Sequence, residues 1–392
     1  MTERRFAKIT GWGKYVPAKV LTNADLEKMV DTSDEWITSR TGIKERHIRA
    51  EGENSSDMSV KSAMPALEMA GLTPQDLDLI IVACSSPDYL VPGVATIVQD
   101  KLGAKCGAFQ IAAGCAGWVY ALATASQFIQ SGSMRNILVI GTEIISMGID
   151  YTDRTTCVLF GDASASVVLQ ATDKPAGVLA YELGSDGSGA KSLYVPAAGT
   201  VLPVAANIDK IIENKLSYLH MDGPEVFKFA TRVLSSSMKR VLDKAGLLAD
   251  DIQLFIPHQA NYRIIETAAR MMRQPMDKFM VNIQKYGNTS AASVPLALVE
   301  AFEEGRCKAG DKVLMCAFGA GLTWASAIVQ LGEAKAEEES VAESWISGGR
   351  AMYMAKRAMN RVQDSVQNFM LNWKIRQVEA ARRRKQERQS SN

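Results

Sequence analysis

The chain reads as a layered α/β protein built by internal duplication, and three observations predict it. "AGLTPQDLDLIIVAC" (70–84) and "AGLLADDIQLFIPHQ" (245–259) match in register. Ala70/Ala245, Gly71/Gly246, Leu72/Leu247, Asp76/Asp251 and Leu79/Leu254 are identical at a constant offset of 175. The order of segments then recurs: Cys115 falls on Ser290, "NILVIG" (136–141) pairs with "KVLMCA" (312–317), and "FGDASASVVL" (160–169) resembles "FGAGLTWASAIV" (318–329). Each half also alternates apolar runs with amphipathic helical stretches, the pattern of strands buried between helical layers.

With 392 residues the chain is too long for one small core and suits two domains, or one large duplicated body with an appendage. Hydrophobic residues make up 47% and the net charge is +1, which argues against a bulk bias toward nucleic acid or membrane. The opening "MTERRFAKITGWGKYVP" lacks the apolar core of a signal peptide, and no apolar run approaches the ~18–20 residues of a membrane span, so a cytoplasmic protein is expected. Six cysteines (Cys84, Cys106, Cys115, Cys157, Cys307 and Cys316) show neither CxxC pairing nor a histidine at metal-ligand spacing. No metal is expected, and most of these thiols read as small buried hydrophobes.

Cys115 is the exception. In "FQIAAGCAGWVYAL" (109–122) it follows a short strand, Phe109–Ala112, and opens a helix with Val119, Leu122, Ala123 and Ala125 inward, ending near Ser131 and Gly132. A thiol there meets the positive end of the helix dipole, which lowers its pKa and favours thiolate. Its backbone N–H is among the unpaired first-turn donors and can face a developing oxyanion. Gly114, Ala116 and Gly117 are expected to leave room for a substrate carbonyl. A buried cysteine at a packed helix start fits the same residues.

Further along, the Gly/Ser/Pro-rich stretch from about 171 to 222 reads as a long connection between the halves. His258 ends "LFIPHQAN" at the C-terminal end of a strand, where open α/β sheets put ligand-contacting groups, although a core histidine is the plainer reading. Asn288 in "YGNTSAAS" (286–293) stands before a helix, where an asparagine is also a common cap. "FGAGLTW" (318–324) is a glycine turn that serves as an anion nest or merely as a hairpin.

Taken together, "NADLEKMVDTSDEWI", "RTGIKERHI", "AAGCAGWVYAL", "FGDASA", "PHQAN", "GNTSAAS" and "FGAGLTW" resemble the β-ketoacyl-acyl-carrier-protein synthase III family over about residues 5–331. The resemblance implies a thiolase-like fold of five α/β/α/β/α layers with two mixed sheets. Residues 1–172 form the half carrying the nucleophile, and 173–334 the half carrying histidine and asparagine. The implied catalytic set is Cys115, His258 and Asn288, with the amides of Cys115 and Ala320 as oxyanion hole, Ala320 standing where the family usually has glycine. The implied reaction starts type II fatty-acid synthesis. An acyl-CoA primer loads Cys115, malonyl-acyl-carrier-protein is decarboxylated, and condensation gives 3-oxoacyl-acyl-carrier-protein, CO2 and CoA.

By the same resemblance Trp36 and Arg40 bracket the CoA adenine and Arg154 reaches its nucleotide end. Thr32 and Gly223 line the pantetheine channel, with Pro224 following where relatives often carry a polar residue. Lys228, Gln259, Arg263 and Arg270 meet the acidic carrier protein, and Val91 enters the acyl pocket of a homodimer partner. Acyl-CoA is a substrate, and no permanently bound cofactor is implied. Polyketide, quinolone or hydroxymethylglutaryl-CoA enzymes of the same fold are the alternatives, as is a catalytically silent scaffold.

Residues 335–392 fall outside the resemblance. Met352, Ala355, Met359, Val362, Val366, Phe369 and Trp373 recur at three- and four-residue spacing, a heptad seam. A basic end follows, with Lys374, Arg376, Arg382, Arg383, Arg384, Lys385 and Arg388. The expectation is a helical, basic extension that packs on its own body, self-associates, touches anionic lipid or captures carrier protein.

Overall fold

The computed structural model describes residues 5–332, so the extension expected at 335–392 lies outside the described residues. The strands of the first main sheet are β1 (Phe6–Tyr15), β2 (Leu79–Ala83), β3 (Gly107–Ile111), β4 (Asn136–Glu143) and β5 (Ala163–Thr172). Those of the second are β6 (Gly177–Ser185), β7 (Leu254–Pro257), β8 (Lys312–Gly319) and β9 (Thr323–Gln330). The principal helices are α1 (Asp34–Thr41), α2 (Ser55–Met69), α3 (Val94–Leu102), α4 (Gly117–Gln130), α5 (Gly223–Ala245), α6 (Tyr262–Met272) and α7 (Ser293–Glu303).

The first sheet runs β1-β5-β4-β2-β3 and the second β6-β9-β8-β7. Both are mixed. β2 is parallel to β3 and β4, and β7 to β8, while the pairs β4/β5, β5/β1, β8/β9 and β9/β6 are antiparallel. The repeat seen in sequence therefore maps strand for strand: β1, β5, β4 and β2 correspond in order and pairing sense to β6, β9, β8 and β7. The fifth strand, β3, is reduced in the second half to a single bridge between Phe255 and Phe279. The identical residues do identical work. Gly71 and Gly246 take left-handed φ values of 67° and 65° after their helices. Asp76 and Asp251 then accept the amides of Thr73 and Leu248, closing the turn before each strand.

Alternation along the strands sorts side chains into separate cores. In β2, Leu79, Ile81 and Ala83 face the central layer, and Ile80 and Val82 the outer one. In β8, Val313, Met315 and Ala317 face the centre, and Leu314, Cys316 and Phe318 the opposite outer layer. The central layer is α4 and α7, whose Trp118, Val119, Leu122 and Ile129 share one core with Val294, Ala297 and Leu298. Fully burying one such large side chain contributes roughly 1.5–3 kcal/mol. Helices α2 and α3 cover the first sheet, α5 and α6 the second, which completes five layers.

The stretch 171–222 is a correction. It is not only a connection, because β6 lies within it and forms the edge of the second sheet, with Thr323 opposite Ser185 and Gln330 opposite Gly177. One-sided pairing explains why the strand was hard to read: Leu179 and Leu183 stay exposed while Glu182 is buried, inverting the usual apolar alternation.

Candidate active site

Two short turns from the two halves meet in the central layer. One is the 3-10 turn Gly114–Ala116, leading into α4, and the other is Ser290–Ala292, leading into α7. Cys115 therefore sits one turn ahead of the α-helix proper. Its small neighbours are taken up by packing, not left open to substrate. Gly114 holds φ 53°, and a Cβ there would stand 2.8 Å from the Ala320 nitrogen. A Cβ on Gly319 would come within 2.4 Å of the Cys115 nitrogen. The absence of side chains lets the Ala320 hairpin close directly onto the nucleophile turn. Thr323 Oγ1 ties the two by donating to the Ala113 carbonyl at 2.8 Å.

"FGAGLTW" is a hairpin between β8 and β9, with Gly319 opposite Thr323. The Leu322 amide is spent on the Asp186 carbonyl at 2.9 Å. Ala320 stands half-buried beside Gly114.

The thiol corrects the expectation of a ready thiolate. Cys115 is 7% exposed, and burial pushes its pKa up to about 12. A hydrogen bond from Ser290 pulls the other way, and the buried Glu143 carboxylate adds to the rise. Desolvation is the largest cause of the shift. His258 follows β7, its backbone N–H donating to the Cys316 carbonyl at 2.7 Å and its ring meeting Phe318 edge-on at 5.2 Å. Burial lowers its pKa to about 3, so the imidazole is neutral. Nδ1 lies 2.5 Å from Ser293 Oγ.

Asn288 is gripped by the other half of the chain. Its N–H donates to Leu159 at 2.8 Å and its carbonyl accepts from Gly161 at 3.1 Å, so "FGDASA" serves as its clamp. Asp162 stiffens that clamp by accepting Arg49 N, Ser146 N and Ser146 Oγ. The Asn288 side-chain oxygen accepts the Ser290 amide at 2.8 Å, which turns the amide NH2 away from that bond.

One segment thus gathers the three residues: 288–293 carries Asn288, packs Ala291 against Gly117 of the Cys115 turn and holds His258 through Ser293. Sequence reading passed over Ser290, Ser293 and Glu143. The first two lie in "GNTSAAS", where serines before a helix look like caps. Glu143 ends an apolar strand with no motif around it. It is fully buried and accepts Ser85 N, Ser86 N, Ser86 Oγ and Ser290 Oγ.

Of the other expected residues, Trp36, Arg40 and Arg154 cluster, with the guanidinium carbons 4.8 Å (Arg40) and 5.3 Å (Arg154) from the indole centroid. Arg154 also donates to the Asp31 carbonyl at 3.0 Å. Thr32 has a buried Oγ1 with no hydrogen-bond partner among the described residues. Gly223 opens α5, and a Cβ there would meet only the end of Met221, at 3.9 Å. Lys228 on α5 and Arg263 and Arg270 on α6 are exposed, with Arg263 also donating to the Ser39 carbonyl at 2.9 Å. Val91 is 86% exposed.

Gln259 is a correction. It is 1% exposed, donates to the Pro257 and Met280 carbonyls and accepts the Asn282 amide, so it braces the interior and offers nothing to a docking protein. The resemblance puts it at the carrier-protein face, but the chain turns inward there. Among the described residues, no helix is long and apolar enough to cross a membrane.

Two family models match the chain, 3-oxoacyl-[acyl-carrier-protein] synthase III over residues 109–187 and its C-terminal counterpart over 242–331. A beta-ketoacyl-[acyl-carrier-protein] synthase III of Caldanaerobacter subterraneus subsp. tengcongensis is 50% identical over 331 residues, covering 84% of this chain and 99% of the relative. The crystal structure of 3-oxoacyl-[acyl-carrier-protein] synthase III from Aquifex aeolicus VF5 superposes with a TM-score of 0.77 at 46% identity, over 83% of this chain and 99% of that one. The priming beta-ketosynthase of the R1128 polyketide pathway superposes at 0.78 with 33% identity, over 85% and 98%.

Proposed function

This chain belongs to the β-ketoacyl-[acyl-carrier-protein] synthase III family, and on that premise we propose that it performs the opening condensation of type II fatty-acid synthesis. An acyl-CoA primer is transferred to Cys115, then joined to malonyl-acyl-carrier-protein with loss of CO2. The observation that carries the assignment is the single segment 288–293, which supplies Asn288, bonds His258 through Ser293 and packs its Ala291 against the Cys115 turn at Gly117.

Chemistry follows from the geometry. Cys115 attacks the primer thioester, CoA leaves, and the acyl group stays on sulfur. The amides of Cys115 and Ala320, brought together by Gly114 and Gly319, face the oxyanion. Malonyl decarboxylation then makes an enolate. Neutral His258, with Nδ1 held by Ser293, presents Nε2–H, and Asn288 presents its NH2; both donate where negative charge develops. Residues 1–172 thus bring the nucleophile, and 173–334 bring the donors.

The paired guanidiniums on Trp36, the unpartnered Thr32 hydroxyl and the open approach at Gly223 support CoA recognition by these residues. No permanently bound cofactor enters the scheme. Exposed Lys228, Arg263 and Arg270 suit an acidic carrier protein. The strand β3 pairs on one side only, beside exposed Tyr89, Leu90, Val91 and Phe109, which supports a homodimer through that edge with Val91 reaching the partner's acyl site. The working compartment is the cytoplasm.

The test is mass-detected acyl transfer to Cys115 from a panel of acyl-CoAs, followed by turnover with malonyl carrier protein. Acylation at Cys115 and release of 3-oxoacyl product are expected. No acylation from any acyl-CoA overturns the assignment. Likeness to the R1128 priming ketosynthase favours polyketide priming as a second reading; a clear preference for a polyketide carrier protein in the same assay selects it.

A further inference from the structure

Gly114 and Ser290 open the two central turns with nearly the same left-handed angle, φ 53° and φ 50°. That region is routine for glycine and disfavoured for any residue with a Cβ. Position 290 therefore carries a side chain where glycine would fit the backbone best. Such an outlier persists only where its surroundings over-determine it.

What holds the angle is Glu143. This residue closes β4, is 0% exposed, and stands as a fixed post: its carboxylate accepts Ser85 N and Ser86 N at 3.1 Å and Ser86 Oγ at 2.6 Å. Ser86 Oγ in turn accepts the Ile144 amide at 2.8 Å, which locks that serine beside the strand end. Glu143 Oε1 also accepts the Ser290 hydroxyl at 3.1 Å, across the junction of the two halves. A negative charge makes each of these bonds stronger than a neutral acceptor would. Turning residue 290 to an ordinary helical φ would swing its hydroxyl off the carboxylate.

The backbone of Ser290 carries the constraint onward. Its φ is the hinge between the peptide plane 289–290 and the helix that follows, so it sets where the Ser290 N–H points. At 50° that N–H donates to Asn288 Oδ1 at 2.8 Å, in a buried bond. A carboxamide that accepts on Oδ1 is settled in one of its two flips, with Nδ2 on the other side. Nδ2 has no hydrogen-bond partner among the described residues. The Asn288 main chain is clamped separately by Leu159 and Gly161, which leaves the side-chain flip as the freedom to be fixed.

We propose that Glu143, by holding the Ser290 hydroxyl, keeps residue 290 left-handed and so fixes the flip of Asn288 that presents Nδ2 to the enolate. Glu143 and Ser290 are positioning residues that act through Asn288. The proposal rests on the reading of Asn288 as a donor to the enolate.

The experiment uses the full chain with Ser290→Ala, Ser290→Gly, Glu143→Gln and Asn288→Ala. Two half-reactions are read: mass-detected acyl transfer to Cys115, and release of CO2 from malonyl-acyl-carrier-protein. Ser290→Ala loses the hydroxyl and keeps the Cβ, so decarboxylation should fall ~10²-fold, the cost of a group misplaced by ~1 Å. Ser290→Gly loses the same hydroxyl but takes φ 50° freely, and should decarboxylate ~10-fold faster than Ser290→Ala. A role in filling space predicts the reverse order, since glycine leaves the larger hole. Glu143→Gln presents an NH2 to the donors of Ser85 and Ser86 and should fall with Ser290→Ala. In all three variants acyl transfer should fall less than decarboxylation. In the Asn288→Ala background, Ser290→Ala should cost decarboxylation nothing further, because the group it aims is gone. Ser290→Gly as slow as Ser290→Ala overturns the proposal, and so does a full further loss in the Asn288→Ala background. If Ser290→Ala or Glu143→Gln does not fold, Ser290→Gly decides by itself, and equal loss in its two half-reactions overturns the aiming of Asn288. Absence of both half-reactions in the unaltered protein overturns the functional reading, and this inference with it; the other outcomes overturn the inference alone.

Discussion

The two turns at the centre of the molecule share a backbone and differ in what it carries. In each, a 3-10 turn closes onto its first carbonyl, Gly117 N to Gly114 and Ser293 N to Ser290, and a buried helix follows. The first turn is stripped to Gly-Cys-Ala-Gly, and its strained position, φ 53°, is a glycine. The second is furnished with hydroxyls, and its positive φ, 50°, falls on Ser290, which stands where the first turn has Gly114; Cys115 therefore answers to Ala291, one place from the sequence alignment with Ser290. A bare turn admits the Ala320 hairpin and leaves the sulfur as its one reactive group. A hydroxyl-rich turn reaches outward to Glu143 and His258 at once. Duplication supplied the scaffold twice, and the chemistry was then divided between nucleophile and support.

The sharpest way to break this division is to remove the sulfur. Cys115→Ser should abolish mass-detected acyl transfer and condensation while the fold stays intact; near-native condensation would end the assignment. Removing donors on the other side should act more selectively. His258→Ala and Asn288→Ala should each cost malonyl decarboxylation ~10²–10³ in rate and leave loading of Cys115 partly working. Equal loss in both half-reactions would erase the contrast between the two turns.

A third change tests whether the bare turn is bare for a reason. In Gly319→Ala a Cβ 2.4 Å from the Cys115 nitrogen must push the hairpin or the turn aside. Stability should fall by about 1–3 kcal/mol, and misplacement of the sulfur by ~1 Å should cost ~10² in acyl transfer. A variant with native melting temperature and native acylation would show that the close approach is not needed.

The buried groups on the two sides should also respond to pH in opposite directions. His258 is lowered to about 3 from an ordinary 6.5, so between these values the unfolded chain binds the extra proton and stability falls as pH falls. Glu143 is raised to about 6 from 4.5, so between these the folded chain binds the proton and stability falls as pH rises. Denaturant unfolding at pH 5 and 7.5 should show His258→Gln escaping about 2 kcal/mol of acid destabilisation. Glu143→Gln should escape about 1 kcal/mol of loss as pH rises between the same two values. Parallel pH profiles for both variants would contradict these assignments. The smallest effect belongs outside both turns. Reversing Lys228 or Arg263 should raise KM for carrier protein several-fold at low salt and leave KM for acyl-CoA nearly alone.

Much of this was legible in the chain. The repeat at an offset of 175 announced a duplicated sheet because turn chemistry is local: a left-handed glycine and a capping aspartate mark the entry to β2 and β7 alike. Cys115 stood out because its surroundings were too small for an ordinary helix start. β6 did not stand out, since an edge strand with exposed leucines and a buried glutamate carries no clean alternation. Glu143 was silent for a related reason. A carboxylate at the end of a fully buried strand has no local partner, and its meaning comes from Ser290, 147 residues away.

By itself the sequence determined the duplication and the alternation of strands with helices, which depend on short-range pattern, while the five-layer order and the set Cys115, His258 and Asn288 came with the family resemblance. Only the tertiary structure decided that the thiol is held protonated, that Gln259 faces inward, that glycine bareness serves the hairpin, and that Glu143 is met by Ser290. Each of those follows from desolvation and close packing between segments far apart in the chain, and the electrostatic cost of burial is set by what surrounds a group, not by what precedes and follows it.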